Sequence, residues 1–121
     1  MTPRASLDQS VLSRIRKEHS DGYLVKVIDL FLREAPPRID LAWQGGRSGD
    51  ARKTAVAAHA VGCLAGNVGA LWVRGLAADA EKAAAGGREG AARLPAILFD
   101  LEVAFAEARS CLLDAKQGIS G

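Results

Sequence analysis

Aromatic residues are scarce in this chain. Three Phe, two Trp and one Tyr make up 5% of 121 residues, so a core must be built from aliphatic side chains. Cysteine is scarcer still. Cys63 and Cys111 are too few for a disulfide framework, and their free thiols fit a reducing compartment. Long apolar runs are missing: none approaches the roughly 18 residues a membrane-crossing helix needs. The opening MTPRASLDQS has no apolar stretch of the signal-peptide kind, so a cytoplasmic protein is expected. An excess of one charge is missing too. Sixteen Lys and Arg face 14 Asp and Glu, and a formal charge of +2 argues for neither nucleic acid nor an anionic membrane as partner. β-branched residues, the usual strand formers, number only 15.

What the chain does have is 23 Ala and 14 Leu, the best helix formers, with 25% charged residues to clothe a surface. The composition predicts an all-α domain. Leu7-Asp8 opens a first helix, with Asp8 as cap and Leu7 stapling onto Leu12. Asp21 is expected to cap a second helix carrying Leu24, Val27, Ile28, Phe31, Leu32 and Ala35 at helical spacing. Pro36-Pro37 predicts a kink or restart, because each ring removes an N–H and crowds the preceding turn. The pattern resumes with Ile39 and Ala42 and is expected to stop at Gly45-Gly46. Ser48-Gly49-Asp50 starts a third helix running to about Asn67. A fourth begins near Gly69, carries Leu71, Trp72, Leu76, Ala80 and Ala83, and stops at Gly86-Gly87. A fifth carries Leu94, Leu98, Leu101, Phe105, Ala108 and Leu112, a spacing suited to an antiparallel seam. Pro95 is expected to bend it or delay its start, and the tail from Gln117 to fray. The reading is one domain over 1–121 with an ordered core over about 7–116: an antiparallel four-helix bundle with a short N-terminal cap helix, monomeric.

The third helix holds an oddly placed histidine. At about 100° per residue with Ala57 at zero, Val61 falls near 40°, Leu64 near −20° and Val68 near 20°. His59 falls at about 200°, opposite that stripe. Its neighbours on the same face, Ala55, Gly62, Cys63 and Gly66, are all small, where Lys, Glu or Gln would be usual. A helix pays about 0.8–1.0 kcal/mol for an interior Gly such as Gly62. A face this bare lets another macromolecule approach the backbone while the imidazole stands out. Arg52 and Lys53 bring positive charge to the approach, and Arg74 on the next helix adds to it. On spacing alone, an exposed histidine on an Ala-rich helix is also an ordinary surface residue.

The wider pattern is more specific. The run from His59 to Ala70 is similar to the signature of histidine-containing phosphotransfer (HPt) domains, His-x-Leu-Lys-Gly-Ser-Ala/Ser-x-x-x-Gly-Ala/Leu. His59, Val61, Ala65, Gly69 and Ala70 match it. Leu7-Asp8, Phe31-Leu32, Glu34-Ala35-Pro36, Gly49-Asp50 and Ala80-Glu81 resemble the family's flanking segments, so the likeness spans about residues 7 to 113. The resemblance implies a histidine phosphocarrier that relays a phosphoryl group between aspartates of receiver domains in a two-component phosphorelay. It implies response-regulator receivers and a hybrid sensor histidine kinase as partners, a phosphohistidine at His59, and stoichiometric transfer in place of enzymatic turnover. It implies no cofactor of the chain's own, Mg²⁺ coming with the receiver. Ala55, Gly62, Cys63 and Gly66 become the receiver-docking surface.

Three positions depart from the family: Gly62 stands for its Lys, Cys63 for its Gly and Leu64 for its Ser. The missing Lys opens an alternative, a receiver-docking module with weak or no phosphotransfer. Arg52 is a candidate substitute for that charge, and Glu81 a candidate to hydrogen-bond the His59 ring and fix its tautomer. Other chemistries fit less well. His59 and Cys63 stand at i and i+4, but a Zn²⁺ site needs three or four protein ligands. A cysteine nucleophile would need an oxyanion hole that a mid-helix backbone cannot supply. His19 suits a helix C-terminus, Trp43 and Trp72 read as packing residues, and Gly86–Gly90 reads as an interhelical turn without the Lys-Ser/Thr of a phosphate loop.

Overall fold

The computed structural model describes residues 7–120, leaving the side chain of Ser120 aside. The leader-free reading of residues 1–6 and the tail reading at Gly121 fall outside them. Five helices follow one another: α1 (Gln9–Glu18), α2 (Asp21–Ser48), α3 (Ala51–Asn67), α4 (Leu71–Ala84) and α5 (Gly87–Ser120). Turns of two or three residues force α2 to α5 to run antiparallel. Each packs on the next, α5 returns to α2, and α1 leans on α2. This is the predicted bundle with its cap helix.

The helix ends are set by local chemistry. The Asp8 carboxylate accepts from Ser10 N at 3.0 Å and Ser10 Oγ at 2.5 Å, closing α1 at its start. The same two bonds, the hydroxyl's first, hold the Asp8 carboxyl below its ordinary value. At α2 the cap is Ser20, whose Oγ accepts from Tyr23 N at 3.0 Å. Asp21, expected as the cap, is the first helical residue and pairs with Arg16 Nε at 2.8 Å. α3 starts where Ser48-Gly49-Asp50 led one to expect, with Asp50 as its cap, accepting from Lys53 N at 3.0 Å.

Two of the proline readings need correction. α2 runs through Pro36 and Pro37 without restarting, and through Gly45-Gly46 to Ser48. Leu24, Ile28, Phe31 and Ala35 before the prolines and Ile39, Ala42 and Gly45 after them all face one core. An interior proline costs about 3 kcal/mol. Burial at about 1.5–3 kcal/mol for each large apolar side chain on both sides outweighs it. The helix ends at Gly49, whose φ of 72° is open to glycine and strained for other residues. Pro95 does not delay α5, which begins eight residues earlier at Gly87, so Arg88, Glu89 and Gly90 belong to its first turn. Nor does α5 fray at Gln117: it continues to Ser120, with Ile119 packed against the core.

The core is aliphatic, as the composition requires. Phe31 sits at its middle, buried, with the Phe105 ring 5.3 Å away. Trp43 is half-buried and donates from Nε1 to Glu102 Oε2 at 3.1 Å, while Trp72 packs on the core's edge.

Two glycines let helices touch. A Cβ on Gly45 would collide with Thr54 Oγ1 and lie 2.7 Å from Thr54 N, so α2 and α3 meet backbone to side chain there. A Cβ on Gly90 would collide with the carbonyl oxygen of Ala83, which sets α4 against α5. Gly69, in the α3–α4 turn, has φ 70° and receives the cap region: Asp8 N donates to its carbonyl at 2.7 Å.

Candidate functional site

α3 and α4 pack through small residues. On α3 the buried positions are Thr54, Ala57, Ala58, Val61 and Ala65, followed by Val68. On α4 they are Val73, Ala77, Ala80 and Ala83. The α3 stripe is therefore turned toward Ala58 and Ala65, away from Leu64, which is only half-buried. The α4 stripe is turned likewise: Leu71 is exposed, and Trp72 and Leu76 are half-buried. Alanine on both sides draws the two axes together and leaves a shallow groove above the seam.

His59 stands in that groove with 66% of its side chain exposed. The ring is held at both nitrogens. Nδ1 lies 3.3 Å from Glu81 Oε1 on α4, and Nε2 lies 3.6 Å from Cys63 Sγ one turn along α3. An ionised carboxylate can only accept, so the Glu81 contact requires the hydrogen on Nδ1. In the neutral ring this leaves the Nε2 lone pair free to act as a nucleophile, with at most a weak S–H donor from Cys63 beside it. Glu81 is 43% exposed, so the contact orients the ring at the cost of little desolvation.

The surrounding hollow, about 490 Å³, brings together His59, Gly62, Cys63, Gly66 and Glu81 with Ala58, Asn67, Arg74 and Ala78. Of the expected site residues it gathers five and misses two. Arg52 points into a second hollow of about 430 Å³ between α2 and α3, together with Arg38 and Lys53. Ala55 is half-buried and lines neither hollow. The small-residue face is also less open than expected: Cys63 is exposed, but Gly62 and Gly66 are half-buried. A Cβ on Gly62 would rest 3.6 Å from the Ala77 Cβ, and one on Gly66 3.8 Å from Arg74 Cδ. The rotated α3 stripe explains this, since it tips both glycines toward α4.

Sequence reasoning passed over Val56 and Leu41. They are 61% and 40% exposed and line the second hollow beside Arg52. Their signal was available: Val56 falls on the His59 side of the α3 wheel, where an apolar residue has no core to enter. Among the described residues no group of three or more His, Cys, Asp or Glu is placed to hold a metal ion, and no helix is long and apolar enough to cross a membrane.

The structure is a bundle of tightly packed antiparallel helices that presents a solvent-facing histidine, His59, beside the Glu81 carboxylate. The resemblance to HPt domains seen in the sequence thus holds in three dimensions. The chain is similar to histidine-containing phosphotransfer protein B (HptB) from Pseudomonas aeruginosa PAO1: the TM-score is 0.85 at 26% identity, over 95% of this chain and 97% of that one. No protein-family model and no curated protein matches the chain.

The Glu81 contact has a measurable consequence. If His59 carries a phosphoryl group, Glu81→Ala should slow its transfer about fivefold to tenfold by letting the ring turn and exchange tautomers. Glu81→Gln, whose amide oxygen still accepts from Nδ1–H, should retain most of the rate. Single-turnover transfer kinetics separate the two variants, and a wild-type rate in Glu81→Ala would remove Glu81 from the site.

Proposed function

We propose that this chain is a phosphocarrier in a two-component phosphorelay, with His59 as the residue that accepts and donates the phosphoryl group. The observation that carries the reading is the His59 ring itself: solvent-facing on a rigid helix, Nδ1 against Glu81, Nε2 toward the open groove. The Nε2 lone pair attacks the phosphorus of an aspartyl phosphate on a receiver domain. The P–O bond to the aspartate breaks, and its electron pair leaves with the carboxylate. Donation to the next receiver runs the same step backwards. Such a transition state is loose and in-line, so positioning and charge neutralisation suffice. Mg²⁺ and the acidic pocket belong to the receiver, and the chain acts stoichiometrically as a cytoplasmic monomer. A hybrid sensor histidine kinase stands upstream. Cys63, Gly62 and Gly66 form the part of the surface a receiver would cover, the exposed Val56 and Leu41 with their basic rim extending it.

Gly62, where the family has Lys, favours a second reading: a module that docks receivers without carrying phosphate. One experiment separates the two. The chain is incubated with a labelled, phosphorylated receiver and Mg²⁺. Acid-labile, alkali-stable label on the chain supports the carrier, stable binding without label supports the docking module, and neither result sinks both.

A further inference from the structure

Gly62 leaves the phosphoryl position without its family cation, and the hollow around His59 supplies another from the opposite helix. We propose that Arg74 takes that part, its guanidinium pairing with the phosphoryl oxygens carried on His59 Nε2. The inference rests on the phosphocarrier reading and adds a residue to it.

The geometry runs as a register between two antiparallel helices. On α3, Gly66 lies seven residues, two turns, beyond His59; on α4, Arg74 lies two turns before Glu81. Glu81 meets His59, and Arg74 meets Gly66: its Cδ and Nε lie 3.8 and 3.9 Å from where a Gly66 Cβ would sit. The direction of the ring completes the argument. Nδ1 is turned to Glu81, so Nε2 faces Cys63, one turn along α3 toward Gly66. A phosphoryl group on Nε2 therefore extends over Cys63 and Gly62 toward the Arg74 side chain. Neither Gly62 nor Gly66 has side-chain atoms to intervene. Arg74 is exposed, and among the described residues its guanidinium has no ion-pair partner to leave. A planar guanidinium offers two parallel N–H donors to a phosphoryl face, which an ammonium does not. Arg52, by contrast, lines the other hollow.

The test loads His59 with phosphoramidate, which needs no cognate receiver, and follows the phosphoryl group by ³¹P NMR across pH. The groups facing it are His59 and Cys63 from α3 and Glu81 and Arg74 from α4. A cation favours the dianion, so Arg74→Ala should raise the second phosphoryl ionisation by about half a unit or more. Single-turnover transfer from the loaded chain to a Mg²⁺-bound receiver should slow about tenfold. Arg74→Lys should recover part of both, and Gly62→Lys introduced into Arg74→Ala should recover the rate by returning the family cation. An unchanged ionisation in Arg74→Ala, with His59 still labelled, overturns the role of Arg74 and leaves the carrier intact. Failure of the wild type to label at His59 overturns both.

Discussion

His59→Gln should carry no phosphoryl group from any receiver while melting within about 2 °C of the wild type. The two halves of this expectation come from the same geometry. The ring is two-thirds solvated and its polar contacts go to the exposed Glu81 and Cys63, so its loss breaks no buried hydrogen bond. Gln is also at least as good a helix former as His. Chemically the loss is complete, because no second imidazole stands near. His19 caps the end of α1 and stacks on Tyr23 at 4.4 Å between ring centroids. Thermal melts and mass spectrometry of the labelled protein check both halves. Label persisting in His59→Gln would mean the acceptor is elsewhere. A melting point lowered by 5 °C or more, which for a domain of this size is a change of about 1 kcal/mol or more, would mean His59 is structural.

Much of this was legible in the residues. The long seam of α5 read correctly because Leu94, Leu98, Leu101 and Leu112 are large, and large apolar residues at helical spacing have nowhere else to go. His59 and Glu81 were both placed, the first from its isolation on the wheel, the second from the family likeness. What escaped was phase. On α3 and α4 the seam is made of alanine, and alanine carries too little hydrophobicity to outvote Leu64, Leu71, Trp72 and Leu76, which sit at the flanks. The stripe was therefore centred on the bulky residues when the closest packing belonged to the small ones. That error of roughly 50° on the wheel made Gly62 and Gly66 look fully open. The prolines misled for a different reason: local rules price an interrupted hydrogen bond, but only the assembled bundle shows that α2 buries its face on both sides of Pro36 and Pro37.

Gly45→Ala should be among the most damaging single-methyl additions to the molecule, although it replaces a poor helix former with the best one. Propensity alone predicts a gain of about 0.8–1.0 kcal/mol. The structure predicts a net loss of about 2–4 kcal/mol, because overpacking and a broken buried hydrogen bond act together. The added Cβ would collide with Thr54 Oγ1 and stand 2.7 Å from Thr54 N and 2.9 Å from Asp50 O. Only the first of these atoms can move aside by rotating a side chain. Its doing so would give up the 3.0 Å bond from buried Thr54 to the Ala42 carbonyl. The other two are backbone at the start of α3, so α2 and α3 must part. A shift of this kind tilts the helix that holds His59 relative to its neighbours, so transfer should fall along with stability. Thr54→Ala added to Gly45→Ala should not rescue it, since the backbone contacts remain. Gly75→Ala is the control: with nothing within 4 Å of its Cβ position, it should stabilise α4 by the ordinary propensity gain. Chemical denaturation of the three variants decides the matter. Gly45→Ala as stable as the wild type would mean that the two helices are not held backbone against side chain at this crossing.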